Sequence, residues 1–153
     1  MALRQQLREG GLESPDFESA CLLEHVLGAS CRLMTRQQLE EPLTGEQAAA
    51  LHALTRRRLA GEPLQYLLGE WEFYGLPFRV GPGVLIPRQD TETLVECALR
   101  AAEGISAPKI LDLCAGSGCI GLALAHCLPH GRVTAVEQSA DALRYLQENA
   151  ALN

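Results

Sequence analysis

The chain has 153 residues, 47% of them hydrophobic, which is enough for one domain with a core or for two small domains. Its net charge of −6 argues against binding to nucleic acid, because affinity for a phosphate backbone comes mainly from clustered lysine and arginine. The charged N-terminus lacks the apolar core of a signal peptide, and no apolar run approaches the roughly 18 residues of a membrane span, so we expect a cytoplasmic protein.

The six cysteines are spaced without any C-x-x-C pair. Three of them fall in segments with a helical pattern, and two flank a glycine-rich turn. Zinc sites and disulfide frameworks need tighter spacing or a secreted context. The pattern therefore predicts free thiols in a reducing cytoplasm and no metal site.

The first part of the chain carries helical patterns throughout. Ser14 and Pro15 predict the start of a helix that Gly28 closes. Thr44 and Gln47 have the spacing of a capping box at the start of a second helix.

That second helix contains the only basic run of the chain, Arg56-Arg57-Arg58. We interpret the run as a solvated face of the helix, with a contact to a partner as the second interpretation. On the first interpretation the arginine side chains point into solvent.

The character of the sequence changes at Trp71, where aromatic and β-branched residues begin. The segment W-E-F-Y-G-L-P-F-R-V predicts a β-hairpin with strands at 71–75 and 78–81. We expect this hairpin to connect the two halves of the chain. A helix follows it, with Asp90 or Thr91 as the N-cap. Its predicted apolar face consists of Leu94, Val95, Ala98 and Leu99.

From Lys109 onwards, strand and helix patterns alternate. A short buried strand at 109–113 leads through a turn into an apolar helix at 119–128, and a strand at 132–137 leads into a helix capped by Ser139. This order is the opening of a parallel sheet with helices on its faces, a Rossmann-like α/β fold. Two parallel strands cannot form a stable sheet core alone, so we expect the front part of a longer protein. The last helix is predicted to pack through Leu143, Leu146 and Ala150.

Gly116, Gly118 and Gly121 form a G-x-G-x-x-G pattern between the first of these strands and its helix. Glycines in such a turn let backbone amides approach a ligand without interference from Cβ atoms. Glu137 ends the next strand, roughly 20 residues after Gly118, which is the spacing of a carboxylate that binds a ribose. The combination predicts a site for a nucleoside cofactor.

Asp112 discriminates between two classes of nucleoside cofactor. A dinucleotide places its pyrophosphate at the helix N-terminus, whereas S-adenosylmethionine (AdoMet) has a cationic sulfonium and no phosphate. An anion at the end of the strand favours the cation and opposes the pyrophosphate, so the residues favour AdoMet over NAD. The plain alternative is an ordinary strand-to-helix turn with a surface aspartate.

Three segments carry a resemblance to a known family. One is the turn D-L-C-A-G-S-G with the C-I-G-L-A-L-A that follows it. The others are G-E-P-L-Q-Y-L-L-G-E-W-E-F-Y-G at 61–75 and V-L-I-P-R-Q-D-T-E-T-L-V-E at 84–96. They resemble motif I and the interdomain signature of the PrmC/HemK family of protein-(glutamine-N5) methyltransferases. The resemblance covers nearly the whole chain and is weakest over residues 1–45.

The resemblance implies AdoMet-dependent methylation of the glutamine in the G-G-Q motif of class 1 peptide-chain release factors. It implies a helical domain at 1–70 that helps to hold the release factor, a hairpin and extended linker at 71–86, and the first part of a Rossmann-like methyltransferase domain at 87–153. Glu137 would hold the ribose of AdoMet. The other residues expected around the cofactor are Arg88, Thr91, Asp112, Cys114, Ala115, Gly116, Ser117 and Gly118.

Two features depart from the family's pattern. The family often has Gly-Thr where this chain has Cys114-Ala115, and both residues are small enough for the turn to survive. The family's N-P-P-Y motif, which binds the glutamine amide, is absent from these residues. We therefore assign no catalytic residue and expect the 153-residue chain to be inactive by itself.

Three other functions stay open at this point. A related enzyme would methylate adenine or cytosine in nucleic acid, but the segment at 61–75 and the acidic balance argue against it. A non-catalytic fragment would bind a protein partner through its helical domain only. An NAD-dependent oxidoreductase is disfavoured by Asp112.

Overall fold

The computed structural model describes residues 3–153, except for the side chain of residue 39. The chain divides into two compact units, one ending at Leu68 and the other running from Gly69 to Asn153. Residues 71–86, which the sequence predicts as a hairpin and extended linker, fall within the second unit in this division. The boundary between the units therefore falls before the hairpin.

The first unit is helical within the described residues. Its elements are α1 (Leu3–Glu9), α2 (Pro15–Leu27), a 3₁₀ turn (Cys31–Leu33), α3 (Arg36–Glu40), α4 (Gly45–Leu59) and α5 (Leu64–Leu68). Helix α2 contacts α1, α4 and α5. Among the described side chains of this unit, the buried leucines are Leu7, Leu22, Leu51, Leu64 and Leu67. Helices this short are marginal in isolation, so this shared core is what stabilises them.

The predicted helix ends of the first unit are largely confirmed. Thr44 and Gln47 form the capping box, in which each side chain accepts a hydrogen bond from the backbone N–H of the other residue. Pro15 begins α2, and Gly28 ends it with a left-handed φ of +65°. Ser14 occupies the N-cap position as predicted, although its side chain makes no capping hydrogen bond.

Arg58 contradicts the interpretation of the basic run as a wholly solvated face. Its guanidinium donates to both carboxylate oxygens of Glu18, at 2.6 and 3.0 Å, and joins α4 to α2. Only 17% of the Arg58 side chain and 11% of the Glu18 side chain are exposed. Periodicity missed this pair because its two residues lie 40 positions apart in sequence.

Replacing Arg58 by methionine is expected to destabilise the protein by about 3 kcal/mol, because Glu18 would remain as a nearly buried charge without a partner. Urea-induced unfolding followed by far-UV circular dichroism measures this free energy. Arg57→Met is the matched control, since the neighbouring Arg57–Glu62 pair is more exposed and its loss should matter much less. Equal losses from the two substitutions would contradict the assignment.

The second unit combines a hairpin with the start of an α/β sheet. Its elements are β1 (Glu70–Phe73), β2 (Leu76–Arg79), a 3₁₀ turn (Gln89–Thr91), α6 (Glu92–Ala101), β3 (Lys109–Leu113), α7 (Cys119–Cys127), β4 (Arg132–Val136) and α8 (Ala140–Leu152). The observed order of β3, α7, β4 and α8 confirms the predicted Rossmann-like start.

The hairpin joins the core of this unit. β1 and β2 pair antiparallel through a two-residue turn, Tyr74-Gly75, in which both residues have positive φ. Phe73 and Phe78 are buried against Val95 of α6 and against α7. The hairpin is therefore confirmed, although its strands begin and end up to two residues earlier than predicted.

The strands β3 and β4 pair in parallel, with Leu113 beside Val136 at their carboxyl ends. One face of this pair contacts α7. On the other face Leu111, Leu113 and Val136 are 60%, 63% and 46% exposed. The described residues thus cover only one face of β3, the strand that was predicted to be buried.

The predicted helix faces are partly wrong. On α6, Val95 is fully buried but Leu94 is 54% exposed, and Thr91 occupies the N-cap position without a side-chain hydrogen bond. On α8, Ala150 is exposed. The side chains that α8 buries are Ala142, Tyr145 and Asn149. The buried face of an amphipathic helix depends on which neighbouring elements pack against it, and the sequence pattern of the helix alone does not specify those neighbours.

Candidate functional site

The glycine-rich turn lies between the carboxyl end of β3 and the first residue of α7. Its backbone takes left-handed φ values at Cys114, Gly116 and Gly118, of +59°, +57° and +80°. The Ala115 N–H donates to the carbonyl of Val136 at the end of β4, at 3.0 Å. The turn is thus anchored where two neighbouring parallel strands end, which is where open α/β sheets bind their ligands.

Cys114 is the non-glycine residue with left-handed backbone in this turn. That conformation is less stable by roughly 1–2 kcal/mol for an L-residue, whereas glycine adopts it without this cost. The backbone at this position therefore favours glycine, which the family that this chain resembles often has there. Cys114 is exposed, so its side chain does not crowd the turn.

Glu137 follows β4 and organises the turn through its carboxylate. Oε2 accepts the Gly116 N–H at 2.8 Å, and Oε1 accepts the N–H groups of Gln138 and Ser139 at 2.7 and 2.8 Å. The hydrogen bonds from Ser139, Gly116 and Gln138 lower the pKa of Glu137. The anion thus links the turn to the start of α8.

Asp112 lies at the end of β3 with its side chain towards α7. Its Oδ2 accepts the Gly121 N–H at 3.0 Å, in the first turn of the helix. Burial raises the pKa of Asp112, and the bond from Gly121 opposes that shift. A Cβ added at Gly121 would lie 2.8 Å from the same oxygen, so a glycine is needed beside this carboxylate.

Asn149 of α8 is the residue at this site that the sequence analysis missed. Its side chain is fully buried, and its Nδ2 donates to the carbonyl of Ser117 at 2.9 Å. The available signal was its position seven residues after Ala142 and four after Tyr145, on one face of α8. A polar residue in a helix is usually assigned to the solvent-exposed side, so the prediction of the buried face of α8 did not include Asn149.

The structure brings together part of the predicted site. Hydrogen bonds connect Glu137 to Gly116 and the N–H of Ala115 to β4, and Asp112 holds the helix that follows the turn. Arg88 and Thr91 lie at the start of the 3₁₀ turn and of α6, and no hydrogen bond among the described residues joins them to the glycine turn. Their contact with a cofactor stays a prediction.

The arrangement suits a nucleoside ligand without a pyrophosphate. A pyrophosphate would be bound by free backbone N–H groups at the start of α7. Here the Gly121 N–H in that first turn already bonds to an anion, Asp112. The Glu137 carboxylate, an acceptor for hydroxyl groups, lies beside the turn at the end of the next strand.

The described part of the chain contains neither a cluster of metal ligands nor a membrane-spanning helix. No group of three or more histidine, cysteine, aspartate or glutamate side chains there could hold a metal ion. Among the helices described, none combines the length and the apolar character required to span a bilayer.

Family models match both parts of the chain. Residues 2–69 match a model described as the PrmC N-terminal domain. Residues 89–153 match a model described as the methyltransferase small domain. The second match includes β3, the glycine turn, α7, β4 and Glu137.

Curated relatives are similar over nearly the whole chain. A protein of Geobacter sulfurreducens named release factor glutamine methyltransferase is 48% identical over 147 residues, which is 96% of this chain and 51% of the relative. Proteins of the same name from Bordetella pertussis and Vibrio cholerae are 45% and 44% identical over 97% of this chain. They are covered over 54% and 51% of their own length, so the chain spans about half the length of these relatives.

Proposed function

Since the chain belongs to the PrmC/HemK family of methyltransferases, we propose that the whole protein transfers a methyl group from AdoMet to the glutamine of the G-G-Q motif in class 1 release factors. The relatives that are named release factor glutamine methyltransferase support this proposal. The proposal includes a cytoplasmic location and a substrate-holding role for the helical unit.

The observation that carries the cofactor assignment is the link between Glu137 and Gly116. It joins the turn after β3 to the end of β4, so that a carboxylate and a glycine-rich backbone face the same edge of the sheet. When bound, AdoMet would supply an electrophilic methyl group. Glu137 would hold the ribose hydroxyls, and residues 114–118 would surround the methionine part.

Asp112 supports AdoMet over a dinucleotide. Its carboxylate already accepts an N–H of the first turn of α7, where a pyrophosphate would need that donor and would meet a negative charge. The sulfonium and amino groups of AdoMet are cationic, and an anion at this place favours them. Arg88 and Thr91 complete the proposed pocket, on the family resemblance alone.

The remaining chemistry concerns the substrate amide. An amide nitrogen is a weak nucleophile because its lone pair is delocalised, so positioning and polarisation of the amide have to supply most of the catalysis. Within the glycine turn, no described residue has a nucleophilic side chain paired with a neighbouring base. We therefore assign to this chain the binding of the cofactor rather than the activation of the amide.

The test has two stages, both with the whole protein. Calorimetric titration is expected to show binding of AdoMet and none of NAD. Incubation with methyl-labelled AdoMet is then expected to label a class 1 release factor, and not a variant of that factor whose G-G-Q glutamine is replaced by alanine. Binding of NAD instead of AdoMet would contradict the cofactor assignment. Transfer of the labelled methyl group to both release factors, or to neither, would contradict the substrate assignment.

A further inference from the structure

Asn149 joins three parts of the second unit through one buried amide group. Its Oδ1 accepts the N–H of Arg79 at 2.6 Å, and its Nδ2 donates to the carbonyl of Arg79 at 3.1 Å. The same nitrogen donates to the carbonyl of Ser117, at 2.9 Å. The side chain is fully buried, so water cannot replace these bonds without opening the structure.

The bonds to Arg79 tie α8 to the end of the hairpin. A side-chain amide that pairs with both backbone groups of one residue takes the place of a neighbouring strand along the edge of β2. Asn153, one helical turn further on, donates to the carbonyl of Pro77 on the same strand, at 2.8 Å. The hairpin is therefore hydrogen-bonded to Asn149 and to Asn153. Of these two residues, only Asn149 also donates a hydrogen bond to the glycine turn.

The bond to Ser117 fixes one peptide plane of that turn. The Ser117 carbonyl and the Gly118 N–H belong to the same rigid peptide group and point in opposite directions. The carbonyl is held by Asn149, and the N–H donates to the carbonyl of Ala115 at 2.8 Å. Because φ of Gly118 is +80° and glycine has little steric preference, these two bonds are what orient this plane.

We propose that Asn149 is a positioning residue for the AdoMet-binding turn: it holds the Ser117–Gly118 peptide in its binding orientation and couples it to the hairpin strand β2. The proposal rests on the proposed function, since it deepens the assignment of the turn as a cofactor site. Asn149 itself acts through Ser117 and makes no contact with the reacting atoms.

The first experiment compares Asn149→Asp with Asn153→Asp in the whole protein. Both changes remove a side-chain amide donor, one within α8 and one at its C-cap, and both add the same charge near β2, but only the first removes the donor to the turn. Asn149→Asp is expected to raise the Kd for AdoMet about tenfold or more, because a buried carbonyl of the turn loses its partner and faces a carboxylate. Asn153→Asp should leave that Kd unchanged. Titrations are run well below each variant's unfolding temperature.

The second experiment needs no variant and keeps the proposal testable if Asn149→Asp does not fold. Hydrogen exchange of the Arg79 amide is measured in the wild-type protein with and without saturating AdoMet. Because coupling between two sites is reciprocal, ordering of the turn by AdoMet is expected to slow exchange at Arg79. The amide of Glu9 in the helical unit serves as the reference that should not change.

The outcomes separate this proposal from the one on which it rests. If the wild-type protein does not bind AdoMet, the proposed function itself fails. If the wild type binds AdoMet and Asn149→Asp binds it equally well, Asn149 has only a structural role and this inference is overturned. If exchange at Arg79 is indifferent to AdoMet, the coupling between β2 and the turn is overturned.

Discussion

Replacement of Gly118 by valine is expected to lower the affinity for AdoMet at least a hundredfold in the whole protein. Gly118 has φ +80°, a left-handed conformation that a β-branched residue strongly resists. A Cβ there would lie 3.2 Å from Leu122 Cδ1 and 3.3 Å from Leu146 Cγ, so both leucine side chains would have to shift by a few tenths of an ångström. Rotation of the backbone to relieve the strain would turn the Ser117–Gly118 peptide out of place.

Gly104→Val is the matched control for this substitution. Gly104 has nearly the same φ, +79°, in the segment that follows α6, and a Cβ there would meet no atom within 4 Å. Both valines carry the strain of a left-handed residue, so both proteins should lose some stability. Calorimetric titration with AdoMet should show the loss of affinity for Gly118→Val alone. A similar loss of affinity in both variants would mean that general destabilisation, and not the turn, governs binding.

Local signals in the sequence were sufficient where a structural element depends on its own residues. The bounds of β3 agree with the prediction because a short segment with Ile110, Leu111 and Leu113 is flanked by Pro108 and the glycine turn. The capping box at Thr44 and Gln47 also depends on residues three apart, and the structure forms it. The observed positive φ values at Gly116 and Gly118 likewise fit the glycines at these positions.

Predictions from sequence failed where a distant segment decides the outcome. The partner of Arg58 is Glu18 on another helix, which no helical pattern specifies. Leu94 fits the apolar stripe of α6 yet is exposed, because the helix packs through Val95. Asn149 is buried because two backbone segments, at Arg79 and Ser117, present their polar groups to it. The paired residues lie far apart in sequence, and the sequence of a single chain contains no direct trace of such pairings.

At the candidate site, the sequence singled out two carboxylates near the glycine turn, but it did not indicate the hydrogen bonds that they make. Asp112 and Glu137 were both expected to act on the cofactor. In the structure each carboxylate first accepts backbone N–H groups, Asp112 from Gly121 and Glu137 from Gly116 and the start of α8. The same carboxylates therefore build the turn as well as the proposed pocket, and their effects on binding will include both contributions.

Replacement of Glu137 by glutamine is expected to weaken AdoMet binding about tenfold or more, and to do so for two reasons. Glutamine offers one acceptor oxygen in place of two, so the backbone N–H of Gly116 or those of Gln138 and Ser139 would lose their partner. The variant also removes the anion that would accept the ribose hydroxyls. Calorimetric titration at pH 7 measures the combined loss. Glu103→Gln removes the same charge from an exposed residue and should leave the affinity unchanged.

The pH dependence of stability gives Glu137 a second, independent test. Hydrogen bonds from Ser139, Gly116 and Gln138 hold its pKa below the ordinary value of 4.5. The carboxylate therefore contributes stability that is fully present above pH 4.5 and is lost as the pH falls through the lowered pKa of the folded state. Urea midpoints of the wild type and of Glu137→Gln should differ at pH 7 and converge in acid, where the protonated glutamic acid resembles glutamine. A difference that stays constant from pH 7 down to pH 3 would show that the charge of Glu137 does not order the turn.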